Sequence, residues 1–228
     1  MSFDPIARWF GPLERLAFGD GMQRAREAAT RLALDDGAPV RRALVVGDGD
    51  GRGALALAQA WPEAELHLVD ASGEFLARAE ARLSGQGLRA HYAQLELPEA
   101  ALPPGPFDLI ATHFFLDCFE GEFLARVVAS LSSVAAPDAR WIVSDFHVPE
   151  GGWPRLRARA WLGVLYPFFR VTARLQAERL EDPAGPLRAG GWQVAGPCVD
   201  ERLWRSSLWR RQSADAESSD RNASSADR

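Results

Sequence analysis

The densest cluster of glycines in the chain is Gly47-Asp48-Gly49-Asp50-Gly51, directly after the apolar run 43–46. Glycines at every second position predict a loop between a buried strand and a helix, because the missing Cβ atoms permit positive φ and close backbone approach. Such a loop lies at the carboxyl end of a parallel strand, where ligands of open α/β sheets bind. The segment therefore predicts a site for a ligand that packs against bare backbone.

The neighbours of these glycines distinguish three kinds of nucleotide site. A P-loop requires Gly-Lys-Ser/Thr, and the chain contains no lysine. A dinucleotide fingerprint starts at Gly47 and Gly49 but meets Arg52 where its third glycine belongs, and Asp48 and Asp50 would repel a pyrophosphate. An adenosyl ligand with a sulfonium and an ammonium tolerates acidic neighbours, so the loop favours this third kind. An ordinary glycine-rich turn is the alternative without a ligand.

A carboxylate at the end of the next apolar run strengthens the ligand prediction. Asp70 closes the run 66–69, about 20 residues after the glycines, and Ala71 and Ser72 open a helical pattern. An acid at this place can accept hydrogen bonds from both ribose hydroxyls. Asp70 could instead act only as a cap, and Ser72 is a plausible helix N-cap. The loop and the acid together predict a nucleoside site.

Titratable side chains follow two later strand patterns, 107–112 and 141–144. His113 and Asp117 come after the first, and Asp145 and His147 after the second. A positioned side chain of these types can take a proton from a substrate, so the candidate catalytic residues are His113, Asp117 and Asp145. As the alternative, His113 only hydrogen-bonds near the ligand and Asp117 caps the next helix. Cys118 is expected to pack as a small apolar group.

The elements that must position these side chains alternate along the chain. Strands are predicted at 43–46, 65–69, 88–93, 107–112 and 141–144, with helices at 53–61, 73–83 and 122–134 between them. This alternation predicts βαβ units, a parallel sheet and right-handed crossovers. Two further runs, 192–199 and 203–209, predict an antiparallel pair at the sheet edge.

The predicted domain organisation has one main unit. Residues 1–37 are expected to form an N-terminal helical cap, with helices over 3–18 and 23–34. Residues 38–211 form the main domain, with an aromatic insertion at about 150–180 that Pro167 kinks or breaks. Residues 212–228 have hardly an apolar group and predict a disordered tail.

Composition limits the classes of function. The chain has 228 residues, 47% of them hydrophobic, which suffices for a sizeable core. A net charge of −5 argues against a general nucleic-acid binder. Two cysteines are too few for a zinc cluster or a disulfide framework. We therefore expect no bound metal and a reduced cytoplasmic setting. Residues 1–10 lack the pattern of a secretory signal, and no run of about 18 apolar residues predicts a membrane span.

The chain resembles the class I S-adenosylmethionine-dependent methyltransferases over roughly residues 40–210. The motifs that carry the resemblance are the glycine loop, Val69-Asp70-Ala71-Ser72, Phe107-Asp108-Leu109-Ile110, Trp141-Ile142-Val143-Ser144-Asp145 and the pair that begins at Gly191-Trp192. It implies a Rossmann-like, doubly wound α/β fold: a seven-stranded, mostly parallel sheet of order 3-2-1-4-5-7-6 with an antiparallel last strand.

The resemblance also implies the cofactor, S-adenosylmethionine, and the residues around it. Glycines of the loop would pack on its methionine portion and ribose, Asp70 would hold the ribose, and Thr112, His113 and Phe114 would face the methionine end and the substrate. Many members carry an acid two residues before the first glycine, where this chain has Val45; Asp48 or Asp50 could supply the charge. Gln94 or Glu96 could stand for the acid that follows the third strand. The predicted cofactor residues are Gly47, Asp48, Gly49, Asp50, Gly51, Asp70, Ala71, Ser72, Gln94, Leu95, Thr112 and His113.

The resemblance implies methyl transfer to a small molecule, and aromatic residues cluster where relatives often place a substrate cap. The predicted substrate residues are Phe3, Trp9, Phe114, Trp161, Tyr166 and Phe169, which favour an apolar or aromatic acceptor. No nucleic-acid partner and no stable membrane insertion are expected. The alternatives are a non-catalytic protein that binds the cofactor on the same fold and a nicotinamide-dependent oxidoreductase.

Overall fold

A computed structural model describes residues 18–149, 151–152, 155–156, 180–201 and 203–212. The strands are β1 (Arg42–Val46), β2 (Glu65–Asp70), β3 (His91–Gln94), β4 (Phe107–His113), β5 (Ala135–Phe146), β6 (Trp192–Val194), β7 (Val199–Glu201) and β8 (Trp204–Arg211). The helices are α1 (Gly21–Asp35), α2 (Arg52–Ala60), α3 (Gly73–Ser84), α4 (Gly121–Ser133) and α5 (Ala184–Ala189), with a 3₁₀ turn at Leu116–Cys118.

The sheet has the order β3-β2-β1-β4-β5-β8-β6, and the short β7 pairs with β8 beside this path. Strands β1 to β5 are mutually parallel, and β8 runs antiparallel to β5 and to β6. The predicted doubly wound α/β fold and its strand order are therefore confirmed. The addition is β7, which makes eight strands, so that β8 takes the place predicted for the seventh.

Helices cover both faces of the sheet and form two apolar cores. On one face, α1, α2 and α3 pack on β1, β2 and β5 around residues such as Ala29, Leu57 and Leu83. On the other face, α4 and α5 pack against Trp141, Trp192 and their neighbours. Burying a leucine side chain contributes about 1.5–3 kcal/mol, so strands that are apolar on both faces belong in the middle of this sheet.

Parallel register brings the functional ends of the strands to one edge. Val46 of β1 lies beside Val69 of β2 and Thr112 of β4, and Asp70 pairs with Gln94 of β3. Since all five parallel strands end at this edge, the side chains that follow them converge, as an open α/β sheet requires.

Two strand boundaries differ from the sequence-based expectation. β5 begins at Ala135 rather than at residue 141, because the exposed Pro137 and Asp138 interrupt its apolar pattern without ending the strand. β3 is confined to His91–Gln94, and no residue of it is buried. The helix α5 was not predicted, since its six residues include Gly185 and Pro186.

Most of the predicted helical cap, the aromatic insertion and the tail lie outside the described residues, apart from α1 and a few flanking positions. Within the described ranges, no helix combines the length and the hydropathy that crossing a membrane demands.

Candidate functional site

The glycine loop connects β1 to α2 with three left-handed glycines. Gly47, Gly49 and Gly51 have φ values of 66°, 66° and 80°. Gly47 leaves space for the ring of Phe115, which an added Cβ would overlap. A Cβ at Gly51 would lie 2.7 Å from the Cα of Ala79, so this glycine lets the loop touch the backbone of α3. The alternating glycines are thus needed both for backbone conformation and for close packing.

Asp48 is directed into the protein rather than out of the loop. Its two carboxylate oxygens accept hydrogen bonds from the N–H groups of Gly53, at 3.2 Å, and Ala54, at 2.8 Å. The Nε atom of Arg26, in α1, lies 3.6 Å from the same carboxylate, and both side chains are buried. Burial raises the pKa of Asp48 to about 6, against the opposing charge of Arg26. Asp48 therefore holds the first turn of α2 and remains ionised at neutral pH.

Asp50 joins the loop to two helices. One carboxylate oxygen accepts from Nε of Arg52 at 2.9 Å, and the other from Arg82 of α3 at 2.8 Å. Nε of Arg82 also donates to the backbone carbonyl of Asp50. These contacts fix the conformation of the loop and offset the charge of Asp50.

Asp70 and its neighbours occupy the ends of β2 and β3. A carboxylate oxygen of Asp70 accepts from the N–H of Ser72 at 2.9 Å, and Ser72 caps α3 by accepting from the N–H of Phe75 at 3.2 Å. The side-chain amide of Gln94 donates to the carbonyl of Ala71 at 3.0 Å. Hydrogen bonds from Ser72 and Gln94 therefore fix the turn after β2, and Asp70 lies where this turn begins.

A narrow cleft runs from Asp70 to the end of β4. Its walls are largely apolar, and two acids besides Asp70 lie along it. The lining residues are Val46, Val69, Asp70, Ala71, Leu95, Glu96, Leu97, Glu99, Phe115 and Phe119. Apolar walls suit a flat base and a carboxylate at the end of β2 suits a ribose, so this part of the chain fits an adenosyl group. Leu95 and Ala71, both predicted, belong to this cleft.

The end of β4 places its two polar side chains on opposite faces of the sheet. Thr112 is fully buried and accepts a hydrogen bond from the indole of Trp141 at 2.9 Å. His113 points towards α2, where the bare Cα of Gly53 leaves room for its ring. Within the described residues, neither ring nitrogen of His113 has a hydrogen-bond partner. Burial, and next the charge of Arg26, lowers the pKa of His113 to about 3.

Phe114, directly after β4, has a φ of 56°. Among the described residues, no other non-glycine residue has a positive φ. Its ring makes edge contacts with Phe146 and Trp204, and the guanidinium of Arg26 lies 5.3 Å from its centre. Phe18 joins the same group. We call Phe18, Phe114, Phe146 and Trp204 the aromatic cluster. A left-handed, bulky residue stores strain that the surrounding packing must hold, as is common at functional sites.

Asp117 and Asp145 form a buried carboxyl pair next to the aromatic cluster. Asp145, at the end of β5, accepts from the N–H of Phe115 at 3.0 Å, and Asp117 lies in the 3₁₀ turn after β4. Burial raises the pKa of Asp117 to about 7. Burial, followed by the charge of Asp117, raises the pKa of Asp145 well above its usual range. Burial likewise raises the pKa of Cys118, which is a donor to Asp117 and remains a thiol. The pair therefore binds protons near neutral pH.

A cavity of about 480 Å³ opens beside Asp145 on the face of the sheet that carries α5. Asp145 and Phe146 contribute to one side of it, and Arg188, Arg205 and Trp209 to the other. Arg205 is held by two hydrogen bonds to Asp200, at 2.7 and 2.8 Å. The cavity offers space for a small molecule in contact with Asp145.

Several predicted substrate residues lie outside the described part of the chain: Phe3, Trp9, Trp161, Tyr166 and Phe169. Sequence reasoning missed Arg26, whose helical position gave no signal, and the roles of Phe115, Phe119 and Trp204. The two phenylalanines follow β4 directly, so the rule that ligands bind after strand ends would have found them.

Comparison with known proteins places the loop and Asp70 in one domain. Residues 43–138 match the family model described as a methyltransferase domain. No curated protein matches the chain. Among solved structures, the chain is similar to the mitomycin 7-O-methyltransferase MmcR, with 22% identity and a TM-score of 0.66. That match covers 93% of this chain but 61% of the other.

Two further solved structures match more evenly in length. The magnesium protoporphyrin IX methyltransferase of Synechocystis PCC 6803, with bound S-adenosylhomocysteine, is 21% identical over 87% of each chain, with a TM-score of 0.65. An S-adenosylmethionine-dependent methyltransferase from Clostridium acetobutylicum is 12% identical, with a TM-score of 0.65, over 90% of this chain and 98% of that one. At these identities the likeness shows a shared fold.

Proposed function

We propose that the chain is a class I S-adenosylmethionine-dependent methyltransferase that methylates a small apolar or aromatic molecule, which the methyltransferase-domain match of residues 43–138 and the shared fold support. The observation that carries the proposal is the position of the buried carboxyl pair. Asp145 lines the 480 Å³ cavity and accepts a hydrogen bond from the N–H of Phe115, which lines the cleft that begins at Asp70, and Asp117 lies beside Asp145. In this proposal the pair supplies a proton acceptor at a cavity that would hold the acceptor molecule, one residue away from the nucleoside site.

The proposed cofactor site combines the cleft and the glycine loop. Asp70 would accept hydrogen bonds from the ribose, and Ala71, Leu95 and Phe119 would contact the adenine. Gly49 has open space above it, since an added Cβ would have only Phe75 at 4.0 Å, so the loop leaves room for the rest of the cofactor. Asp48 and Asp50 support the loop from beneath through the hydrogen bonds described above, in place of a direct contact.

When bound, the cofactor supplies an electrophilic methyl group on a sulfonium, which leaves as a neutral thioether. What remains for the protein is to align the acceptor and to receive its proton. We assign proton acceptance to Asp145, which lines the cavity, with Asp117 tuning its protonation. Neighbouring carboxyl groups titrate as a pair, and because the pKa of Asp117 is about 7, the pair gains and loses a proton near the working pH, as a general base requires.

His113 has no part in this proposal as a base. Its pKa of about 3 leaves the imidazole a weak proton acceptor, and its buried position beneath α2 separates it from the cavity. Its environment fits a positional role instead, that of a neutral ring that fills the space beside Gly53 and Asp48.

The aromatic cluster supports an apolar or aromatic acceptor. Phe146 lines the cavity beside Asp145 and makes an edge contact with Phe114, so an aromatic ring would meet and orient a planar molecule in the cavity. Such a surface selects by shape, with few polar contacts.

The test is transfer of a labelled methyl group from S-adenosylmethionine to a panel of phenols, aromatic acids and hydroxylated heterocycles, and to a metabolite extract. We expect label in a small, organic-extractable product. Cofactor binding in the absence of any labelled product would favour the alternative of a non-catalytic cofactor-binding protein. Binding of NADH in place of S-adenosylmethionine would favour an oxidoreductase.

A further inference from the structure

Three side chains that can bind a metal ion lie near the amino-terminal ends of β2 and β3, at the end of the sheet opposite to the proposed cofactor site. Glu65 and His67 are two residues apart in β2, and His91, the first residue of β3, is the register partner of His67. Because side chains alternate along a strand, positions two apart share a face, and register partners on neighbouring strands share it too. The sheet itself therefore assembles Glu65, His67 and His91 on one face.

The donor atoms of these side chains are close together. Nε2 of His67 lies 2.6 Å from Oε1 of Glu65, and Nε2 of His91 lies 3.4 Å from the same oxygen. The two imidazoles stack with ring centres 4.6 Å apart, and one ligand atom from each of the three residues lies within 4.8 Å of the others. The hydrogen bond from His67 lowers the pKa of Glu65, so its carboxylate is ionised.

We propose that Glu65, His67 and His91 bind a divalent transition-metal ion of the zinc class. Two imidazoles favour Zn²⁺, Co²⁺ or Cu²⁺ over Mg²⁺ and Ca²⁺, which prefer oxygen. Tetrahedral coordination with bonds of about 2.0–2.1 Å separates ligand atoms by about 3.3 Å. The distance between His91 and Glu65 already has this value, and the one between His67 and Glu65 must widen by a side-chain rotation. Glu65 and His91 are exposed, so water completes the fourth position.

Arg42 in β1 competes for the same donors. Its guanidinium lies 3.4 Å from Oε2 of Glu65 and 3.4 Å from Nε2 of His67, and it also donates to the carbonyl of Pro106. A metal ion would take Oε1 and displace Arg42 from His67, leaving Arg42 on Oε2. The neighbouring positive charge lowers metal affinity, so the site is expected to be weaker than a structural zinc site.

The metal would join β3, a short strand without buried residues, to β2. Glu65 and Asp70 are at the two ends of β2, roughly 16 Å apart at about 3.3 Å per residue. Metal binding therefore acts on the stability of the sheet edge and can be measured without cofactor or methyl transfer.

The experiment titrates the full chain with Co²⁺ and Zn²⁺ in a buffer without chelating groups. We expect one Co²⁺ per chain, with visible absorption typical of tetrahedral coordination, which Zn²⁺ abolishes and Mg²⁺ leaves unchanged. His91→Gln and Glu65→Gln, at exposed positions, should each weaken binding at least tenfold. Cys198→Ser removes the exposed thiol and should leave the affinity unchanged.

Arg42→Met should tighten binding several-fold, because it removes the competing charge. Thermal unfolding of each variant without metal checks that it is folded. Equal Co²⁺ affinity in wild type and His91→Gln, loss of binding with Cys198→Ser, or the absence of stoichiometric binding would overturn the proposal.

Discussion

The two halves of the sheet use carboxylates in opposite ways. After β1 and β2, Asp48, Asp50 and Asp70 each accept hydrogen bonds from backbone N–H groups or arginines. After β4 and β5, Asp117 and Asp145 are buried beside each other, and the pKa of each is raised. The first half therefore uses its carboxylates to shape a loop, and Asp48, with a pKa of about 6, remains ionised at neutral pH, whereas the pair in the second half exchanges protons there.

In the proposed function this difference separates cofactor binding from proton transfer, and we call the two halves the cofactor half and the acceptor half. The cofactor half is shaped by backbone: left-handed glycines, a helix cap and arginine contacts. The acceptor half depends on the environment of two side chains. Substitutions in the first half should change folding and cofactor affinity, and substitutions in the second should change proton transfer and the pH dependence of stability.

The largest expected effect is on turnover, at Asp145. Asp145→Asn keeps the size of the side chain but removes the proton acceptor, so the rate of methyl transfer should fall by about 10²–10⁴-fold. Cofactor affinity should stay within about threefold, because Asp145 does not line the cofactor cleft. Single-turnover transfer of labelled methyl and calorimetry measure the two quantities. Asp138→Asn, at an exposed position of the same strand, is the control. Full turnover in Asp145→Asn would remove it as the base.

Gly51→Ala tests whether backbone packing shapes the cofactor half. An alanine there must adopt a left-handed conformation and overlap Ala79, and we expect a loss of about 2–4 kcal/mol in the free energy of unfolding. Gly37→Ala is the matched control, because Gly37 has a φ of 76° and open space around it. It should cost only the conformational strain of about 1–2 kcal/mol. Equal losses in urea denaturation would show that the contact with α3 contributes nothing.

Asp117→Asn should make the free energy of unfolding less sensitive to a rise in pH between about pH 4 and pH 7. Between pH 4 and 7 the unfolded chain loses the Asp117 proton while the folded chain keeps it, so wild-type stability falls as pH rises. Asparagine has no proton to lose. The stability of the variant relative to wild type should therefore increase by about 1–3 kcal/mol between pH 5 and pH 8. Urea denaturation at both pH values measures this, and a constant difference would mean that Asp117 titrates normally.

His113→Gln should act in the opposite direction and more weakly. Below pH 6.5 the His113 side chain binds a proton in the unfolded chain but not in the folded protein, where its pKa is about 3. The stability of the wild type therefore falls as the pH drops. The variant lacks this loss, and its stability relative to wild type should increase by about 1–2 kcal/mol from pH 7 to pH 5. The same denaturation series provides the data. A fall in relative stability over this range would show that His113 is protonated in the folded state.

The cofactor half could be predicted from sequence because its geometry is written in residue types. Alternating glycines predict a left-handed backbone, and an acid after an apolar run predicts the carboxyl end of a strand. Asp48 shows the limit of such a prediction. As an acidic residue it was expected to supply charge to the ligand, whereas it accepts hydrogen bonds from Gly53 and Ala54, which depends on how the loop turns.

The acceptor half depends on contacts between distant segments. Asp117 and Asp145 could each be named as candidates, but their mutual effect on pKa requires the burial that the complete fold provides. Arg26 approaches Asp48 only because α1 docks on β5 and β8, where Ser144 and Ser206 bond to the carbonyl of Ala25. A single helical arginine carries no sign of such a contact.

The proposed function requires that the cleft beside Asp70 binds S-adenosylmethionine, and calorimetry of S-adenosylhomocysteine binding to wild type and Asp70→Asn measures this. Asparagine keeps an oxygen for the N–H of Ser72 but loses the charge, so affinity should fall by about 1.5–3 kcal/mol, or roughly 10–150-fold. Glu80→Gln, at an exposed position of α3, should bind as wild type does. Equal affinity in Asp70→Asn and wild type would contradict the account, as would the absence of binding to the wild-type protein.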